Sequence, residues 1–327
     1  MVNRAFTPRA LRAMEPDVRT AAEELARSLP DGEEIDLLAA FTEPLSVWAI
    51  SSILGLPHER RADVRRWSKA AVASIGAVPI PERWLDNERD LLDFQQSMAA
   101  VVADQQHDAG PGLIGELAAH LAEDGTGDGS GGGAAGRATS PVGLSLLLTL
   151  LRELVVAGNE TTGKFLAEAL RLFGSDPAQW ERVRADQDYA RTLVEESLRL
   201  ATPTQTVMRE ATTDTELGGV AVPAGTQLMV SLASANRDEH CYLDPDEFQA
   251  DRAGATQHLA FGQGPHMCVG AGLARMESRV ALEVLADHVV RIEMSAARPP
   301  SHMRSYILRG PLEMWGTVTR RPEEAAP

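Results

Sequence analysis

The chain has 327 residues, of which 44% are hydrophobic, and a formal net charge of −16 at pH 7. This length and apolar content are enough to bury a large core, in one big domain or in two. The negative charge argues against non-specific nucleic-acid binding, which requires Lys and Arg to neutralise phosphates. With only two cysteines, Cys241 and Cys268, we expect no disulfide framework, as is usual in a reducing cytoplasm.

The N-terminal stretch and the apolar runs give no sign of a membrane segment. The first residues, MVNRAFTPRALRAM, lack the apolar core of a signal peptide. The longest apolar run, near residues 142–156, is interrupted by Arg152 and Glu153. We therefore expect a soluble, cytoplasmic protein with no membrane partner.

Helical patterns dominate the first half of the chain. Thr7 is a candidate N-cap ahead of Pro8 at the first helical position, and Pro16 is expected to restart a helix that runs to about Leu29. Helical periodicity recurs at residues 43–54, 58–75, 82–106 and 112–122. This half is predicted to be nearly all α.

The second half begins with a flexible stretch and a long helix. Residues 125–139 are rich in glycine and polar, which predicts a flexible surface loop. Ser140 and Pro141 then begin an apolar helix that ends near Phe173 and, at about 1.5 Å per residue, is roughly 50 Å long. Short strand-like pieces follow at residues 206–210, 215–222, 227–232 and about 304–318. The pattern predicts a mainly α fold with minor, C-terminal β-sheets.

One cysteine lies in a glycine-rich loop directly ahead of a predicted helix, in residues 260–277, AFGQGPHMCVGAGLARME. Glycines 262, 264 and 270 would let the backbone fold back and a flat group lie against it. The amides and the dipole of the following helix favour a thiolate at Cys268. Such a thiolate is a metal ligand or a nucleophile, and His266 and Arg275 are groups that a carboxylate-bearing cofactor could use.

Two other interpretations of this loop stay open on the residues alone. Cys268 could be a buried structural cysteine. The loop could instead hold a phosphate at a helix start, although it lacks the Lys-Ser/Thr pair of a P-loop and the strand and distal acid of a dinucleotide fold.

A second cluster lies inside the long helix, in residues 157–162, AGNETT. Gly and Thr are poor helix formers, so their presence here needs a reason. A threonine can hydrogen-bond back to a carbonyl and bend the helix, and Gly158 would let a planar group approach the backbone. An ordinary buried helix bend with a solvated acid is the alternative.

A third cluster places Glu196 and Arg199 three residues apart on one helical face. Such a pair, taken alone, is a common surface feature that contributes little free energy of folding.

The three clusters together resemble the cytochrome P450 family. Phe261-Gly262-x-Gly264-x-His266-x-Cys268-x-Gly270-x-x-Leu273-Ala274-Arg275 resembles that family's haem-binding loop. The 157–162 segment resembles its oxygen-binding helix, and Glu196-x-x-Arg199 with Arg252 resembles its structural Glu-Arg-Arg group. The resemblance covers nearly the whole chain and implies a single cytochrome P450 domain over residues 1–327.

The resemblance also implies a cofactor and residue roles. The cofactor would be haem b (iron protoporphyrin IX), with Cys268 as the axial thiolate that favours O–O cleavage. Glu160 and Thr161 would relay protons to dioxygen, and His266 and Arg209 would hold the propionates. Further cofactor contacts are expected from Ala157, Gly158, Phe261, Gly262 and Gly270.

The implied function is that of a soluble bacterial haem-thiolate monooxygenase, which inserts one atom of O2 into an organic substrate. Electrons would come from NAD(P)H through a ferredoxin reductase and a ferredoxin. By the same resemblance, residues 155–156, 204–207 and 306–307 would line a mostly apolar pocket for a hydrophobic, polyketide-like secondary metabolite. A catalytically impaired accessory protein and a peroxide-driven oxygenase are the alternatives, and the retained Cys268, Glu160 and Thr161 favour the O2-dependent enzyme.

One departure from the family concerns the start of the chain. Family members carry an N-terminal part with several strands, a pocket-lining loop and a helix whose His and Arg hold a propionate. This chain begins at MVNRAFTPR, which resembles the end of that helix. We therefore expect an N-terminally truncated version of the fold.

Overall fold

The computed structural model describes residues 2–73, 83–107, 112–124 and 141–322, so the predicted flexible loop at 125–139 lies outside the described residues. The helices are α1 (Val2–Ala5), α2 (Pro8–Ser28), α3 (Glu43–Leu54), α4 (Arg61–Val72), α5 (Trp84–His107), α6 (Leu113–Asp124), α7 (Pro141–Phe173), α8 (Pro177–Ala185), α9 (Gln187–Ala201), α10 (Leu232–Ala235) and α11 (Ala271–His288). The strands are β1 (Glu34–Asp36), β2 (Thr206–Glu210), β3 (Thr215–Leu217), β4 (Val220–Val222), β5 (Gln227–Ser231), β6 (Val289–Met294) and β7 (Trp315–Arg320). The predicted mainly α fold with minor sheets is confirmed.

Helix α2 begins as predicted but does not restart at its internal proline. The Thr7 hydroxyl accepts a hydrogen bond from the Ala10 amide at 3.4 Å, and Pro8 follows the cap. The helix then continues unbroken past Pro16, which the sequence analysis had wrongly taken as a new start. Helix α2 packs against α11, and Leu11 and Val18 are buried on either side of Pro16. This packing keeps α2 continuous although the proline has no amide hydrogen to donate.

Helix α7 is the central element of the fold. It contacts α3, α4 and α9 along its length, and its buried side chains include Leu151, Phe165 and Leu170. Within the described part of the chain, one helical stretch, Val142–Phe173, is apolar and long enough to cross a membrane by length and composition alone. Its C-terminal half is enclosed by α3, α9 and α11, so the segment predicted to carry chemistry lies at the centre of the molecule.

The sheets are small and antiparallel. One has the order β1-β7-β6, a second pairs β2 with β5, and β3 and β4 form a hairpin around Gly218 and Gly219, both at positive φ. Two strands were missed. β1 has only three residues, too few to show alternation, and β6 directly follows α11. In the expected 304–318 strand region, β7 begins only at Trp315.

Three predicted structural residues meet in a buried ion cluster that holds the segment before the cysteine loop. The Arg199 guanidinium donates to both carboxylate oxygens of Glu196 at 2.8 Å, and Arg252 Nε donates to Glu196 Oε1 at 2.9 Å. Arg199 also donates to the carbonyls of Asn236, Pro245 and Glu247. Because both Arg199 and Glu196 are fully buried, the surface-pair alternative is wrong.

Candidate active site

The loop that carries Cys268 is shaped by two glycines in the left-handed region. Gly262 and Gly264 have φ of +67° and +79°, a conformation that side chains with a Cβ rarely adopt. A Cβ built at either position meets nothing within 4 Å, so the backbone conformation and not crowding requires glycine there. The Cys268 amide donates to the Phe261 carbonyl at 2.9 Å, which closes the loop, and α11 begins three residues later.

The environment of the Cys268 thiol differs in one respect from the prediction. Burial raises the pKa of the thiol, while the backbone amides of Gly270 and Ala271 and the charge of Arg275 act to lower it. The amides therefore point at the sulfur as predicted, but their effect is smaller than that of burial, so the protein groups alone do not favour the thiolate. A metal ion bound to the sulfur would reverse this balance, since a coordinating thiol is deprotonated.

A cavity of about 500 Å³ lies between this loop and helix α7. One face of α7 lines it, since the contributing positions recur at intervals of three or four residues. These are Leu154, Ala157, Gly158, Thr161, Thr162 and Phe165. The loop contributes the other wall, through Phe261, Gly262, His266, Cys268 and Gly270. The structure thus brings the two predicted clusters together around one space.

Within α7, the predicted bend does not interrupt the helix. The backbone stays α-helical through residues 157–162, and the Thr161 hydroxyl donates to the Ala157 carbonyl at 2.7 Å. Gly158 lines the cavity, as its predicted role requires, and it also has a packing role that was not predicted. A Cβ at Gly158 would lie 2.6 Å from the Ile50 side chain, so glycine is needed for the close packing of α3 on α7.

Glu160 is adjacent to Thr161 in sequence, but it is not among the described residues that line the cavity. It is buried, and its Oε2 lies 3.2 Å from Lys164 Nζ one turn further along α7. Its Oε1 has no hydrogen-bond partner in the described part of the chain, and Lys164 also donates to the Pro311 carbonyl at 3.4 Å. Lys164 was not predicted as a site residue, although its i,i+4 spacing from Glu160 was a usable signal.

Two of the predicted cationic groups face the cavity, and one does not. His266 and Arg209 both line it, and neither forms an ion pair with the described residues. Arg275 instead donates to both oxygens of Glu195, at 2.6 and 3.0 Å, and stacks over the Phe261 ring at 4.6 Å. Arg275 therefore positions Phe261 and is not available to a cofactor carboxylate.

The Glu195 carboxylate binds both Arg275 and His258, and so holds residues on both sides of the cysteine loop. His258 Nε2 lies 3.1 Å from Glu195 Oε2, so two groups bind the same carboxylate. Burial acts to raise the pKa of Glu195, but the hydrogen bonds from His258 and Arg275 lower it to about 2. A carboxylate held in this way stays ionised and fixes the base of the cysteine loop.

Comparison with known proteins identifies the architecture. A family model described as Cytochrome P450 matches residues 134–308, more than half of the chain. The chain belongs to the cytochrome P450 family. Linalool 8-monooxygenase of Pseudomonas putida is 31% identical over 307 residues, which are 94% of this chain and 71% of that protein.

Further similarities extend over nearly all of this chain. Erythromycin C-12 hydroxylase of Saccharopolyspora erythraea is 34% identical over 297 residues, covering 89% of this chain and 70% of that protein. The solved structure of cytochrome P450 CYP109Q5 from Chondromyces apiculatus is 32% identical with a TM-score of 0.78, covering 98% of this chain and 75% of that one. The protein is thus a P450 monooxygenase, an oxidoreductase of the haem-thiolate class.

The residues around the cavity fit the haem b cofactor of P450 enzymes. The donor set is a single cysteine sulfur in a loop whose glycines at positive φ leave open space beside the backbone. His266 and Arg209 line the cavity and could supply donor groups to two propionates, and Ala157 and Gly158 leave space on the helix surface opposite the loop because their side chains are small or absent. Apolar side chains form most of the remaining wall, as a porphyrin face requires.

The predicted substrate-lining residues are only partly correct. Thr204 and Val207 line the cavity as expected, but residues 155, 156, 306 and 307 are not among the lining residues that the structure describes. Val155 and Val156 face away because they lie one and two positions after Leu154, about 100° and 200° further around the helix. Val155 packs in the same cluster as Ile50, and Val156 packs against Ala71 and Val72 of α4. Ile307 pairs through its carbonyl with the Gln205 amide at 2.7 Å.

Proposed function

We propose that this enzyme inserts one atom of O2 into a hydrophobic secondary metabolite in the cytoplasm, with electrons from NAD(P)H through a ferredoxin reductase and a ferredoxin. The observation that carries the proposal is that Cys268 and Thr161 line the same cavity, one from the loop and one from α7. An accessory role without chemistry is not favoured, since both groups are retained and face the same space.

The residues around the cavity have separate roles in binding haem and in transferring protons. Bound haem supplies the iron at which dioxygen is activated. Cys268 holds the metal through Sγ, and His266 and Arg209 bind the propionates. The Thr161 hydroxyl donates to Ala157 at rest, and its Oγ1 can pass a proton into the cavity. Glu160, the preceding residue, would resupply that proton from the buried side of α7.

The cavity wall supports a hydrophobic substrate. Phe6, Ile50, Leu154, Val230 and Leu232 all contribute apolar side chains to it. Burial of an organic molecule against such a wall gives binding energy in proportion to its apolar area. The relatives named for linalool and erythromycin make a terpenoid or a macrolide a reasonable first substrate class.

An exposed residue beside the cysteine supports an external electron donor. Met267, which precedes Cys268, is exposed and is not among the described residues that line the cavity, so a small soluble protein can approach the metal ligand closely.

The test is turnover with isotopically labelled dioxygen. Haem-loaded protein, ferredoxin, ferredoxin reductase and NADPH are incubated with a panel of terpene alcohols and macrolides, and the products are analysed by mass spectrometry. We expect one labelled oxygen atom in the product. Turnover with hydrogen peroxide alone and none with the electron-transfer proteins would contradict the proposal.

A matched pair of threonine variants tests the proton role. Thr161→Ala should consume oxygen without forming product, because the cavity loses its positioned hydroxyl. Thr149→Ala is the control, since Thr149 makes the same hydrogen bond to the carbonyl four residues back, at 2.9 Å, but is exposed to solvent elsewhere on α7. Equal coupling of oxygen to product in both variants would exclude Thr161 from the relay.

A further inference from the structure

A second cavity, of about 630 Å³, lies next to the first and shares no lining residue with it among those described. The two are separated by a wall made of α7 and of residues 203–207. Thr161 and Phe165 of α7 face the first cavity, whereas Glu168 and Arg171, further along the same helix, face the second. Thr204 and Val207 likewise face the first cavity and Gln205 faces the second.

The lining of the second cavity is unusually cationic. It includes three arginines, Arg171, Arg237 and Arg309, together with His302 and a single carboxylate, Glu168. The whole chain, by contrast, has a net charge of −16. A local excess of positive charge in an acidic protein creates a potential that attracts anions.

The described ion pairs at the cavity leave part of this positive charge without a carboxylate partner. Glu168 is shared, since Arg171 Nε lies 2.7 Å from its Oε2 and His302 Nε2 lies 2.6 Å from its Oε1. Arg237 is paired at 2.6 Å with Asp246, which is outside the lining. The Arg309 guanidinium makes no hydrogen bond or ion pair with the part of the chain that the structure describes.

Hydrogen bonds to residues 203–205 hold the backbone at Arg309 and two residues before it. The Arg309 amide donates to the Pro203 carbonyl at 2.8 Å, and the Gln205 amide donates to the Ile307 carbonyl at 2.7 Å. These bonds fix the start of the Arg309 side chain beside Gln205 at the cavity wall. A donor on a fixed base loses less conformational entropy when it binds a ligand.

We propose that the second cavity binds the phosphate or carboxylate group of a small molecule, with Arg309 as the main ligand and Arg171 and Arg237 as supporting donors. A guanidinium matches either oxyanion with two parallel hydrogen bonds. Leu172, Leu200 and Pro300 add apolar surface at the same cavity, which can accept the organic part of such a ligand.

The test is isothermal titration of the full chain with inorganic phosphate and, separately, with citrate, at an ionic strength held constant with sodium chloride. We expect saturable binding of at least one anion. Arg309→Gln should weaken it about tenfold, equivalent to about 1.4 kcal/mol, because it removes one charge-assisted interaction. Phosphate-only or citrate-only binding identifies the class of ligand.

Arg9→Gln is the control, because Arg9 is an exposed arginine on α2 that lines neither cavity. The described contacts of the Arg309 residue are through its backbone, so Arg309→Gln preserves them. Equal affinity in the two variants, or no saturable binding of either anion to the wild type, would overturn the proposal. The readout does not depend on monooxygenase activity, so its failure is distinct from failure of the proposed function.

Discussion

Replacement of Arg199 by Met tests whether the buried ion cluster holds the fold. Arg199 is fully buried and donates to two oxygens of Glu196 and to three main-chain carbonyls. Methionine fills part of the same space but removes every donor and the charge. Glu196 would keep Arg252 and the Gln249 amide as partners.

The expected loss in the free energy of unfolding is large. Removal of one partner from a buried ion pair costs about 3–5 kcal/mol, because the other charge and the carbonyls stay buried. The free energy of unfolding of a typical domain is about 5–15 kcal/mol, so this loss is a considerable part of it. The same pairing geometry occurs on the surface, where Arg182 donates to both oxygens of Asp251 at 2.9 and 3.0 Å, and there solvent screening should make its contribution to stability much smaller.

The assay is urea unfolding of wild type, Arg199→Met and Arg182→Met, followed by tryptophan fluorescence and far-ultraviolet circular dichroism. Stability differences follow from the transition midpoints at a common slope. We expect a much lower midpoint for Arg199→Met and a small change for Arg182→Met, whose side chain is half exposed. Similar losses in both variants would refute the reasoning that burial determines the contribution of the cluster.

Three other substitutions give independent predictions. Haem-loaded Cys268→Ser should lose the carbon monoxide spectrum of a thiolate-ligated haem, and persistence of that spectrum would exclude Cys268 as the ligand. Glu195 has its pKa lowered from 4.5 to about 2, so its contribution to stability is present above pH 4.5 and lost as the pH falls towards 2. Acid titration of Glu195→Gln should therefore show a flatter loss of stability in that range than wild type, and parallel curves would contradict this. Burial raises the pKa of Glu277 to about 8, and neither of its oxygens has a described partner, so its ionisation destabilises the fold as the pH rises from 4.5 to 8. Glu277→Met should be more stable than wild type near pH 7.5, by up to about 4 kcal/mol, and no more stable near pH 4, as urea midpoints at the two pH values would show.

The parts of the site that sequence reasoning predicted correctly are those encoded by local patterns. The spacing around Cys268 and the 157–162 segment indicated the loop and the helix face, and a regular apolar period predicted α7. What it missed depends on contacts distant in sequence. Nothing near Gly158 reveals that Ile50 packs against it, 108 residues earlier in the chain.

Errors in element boundaries have similar causes. Pro16 looked like a break because the stabilising contact with α11 is more than 250 residues away in sequence. Val155 and Val156 were predicted to line the cavity, but the neighbouring Leu154 lines it instead. Because all three residues are apolar, the sequence did not determine which of them faces the cavity. β1 depends on pairing with β7 at the opposite end of the chain.

The packing of Ile50 on Gly158 determines which positions a directed-evolution library can use to change substrate preference. A larger residue at Gly158 would first displace α3 and so lose folded protein before it changes selectivity. Val207 and Val230, on β2 and β5, also line the cavity, and a different side chain there changes the space without separating α3 from α7. Randomisation of Leu154, Val207 and Val230 combined with an unchanged Gly158 should therefore return a higher fraction of folded variants with altered selectivity.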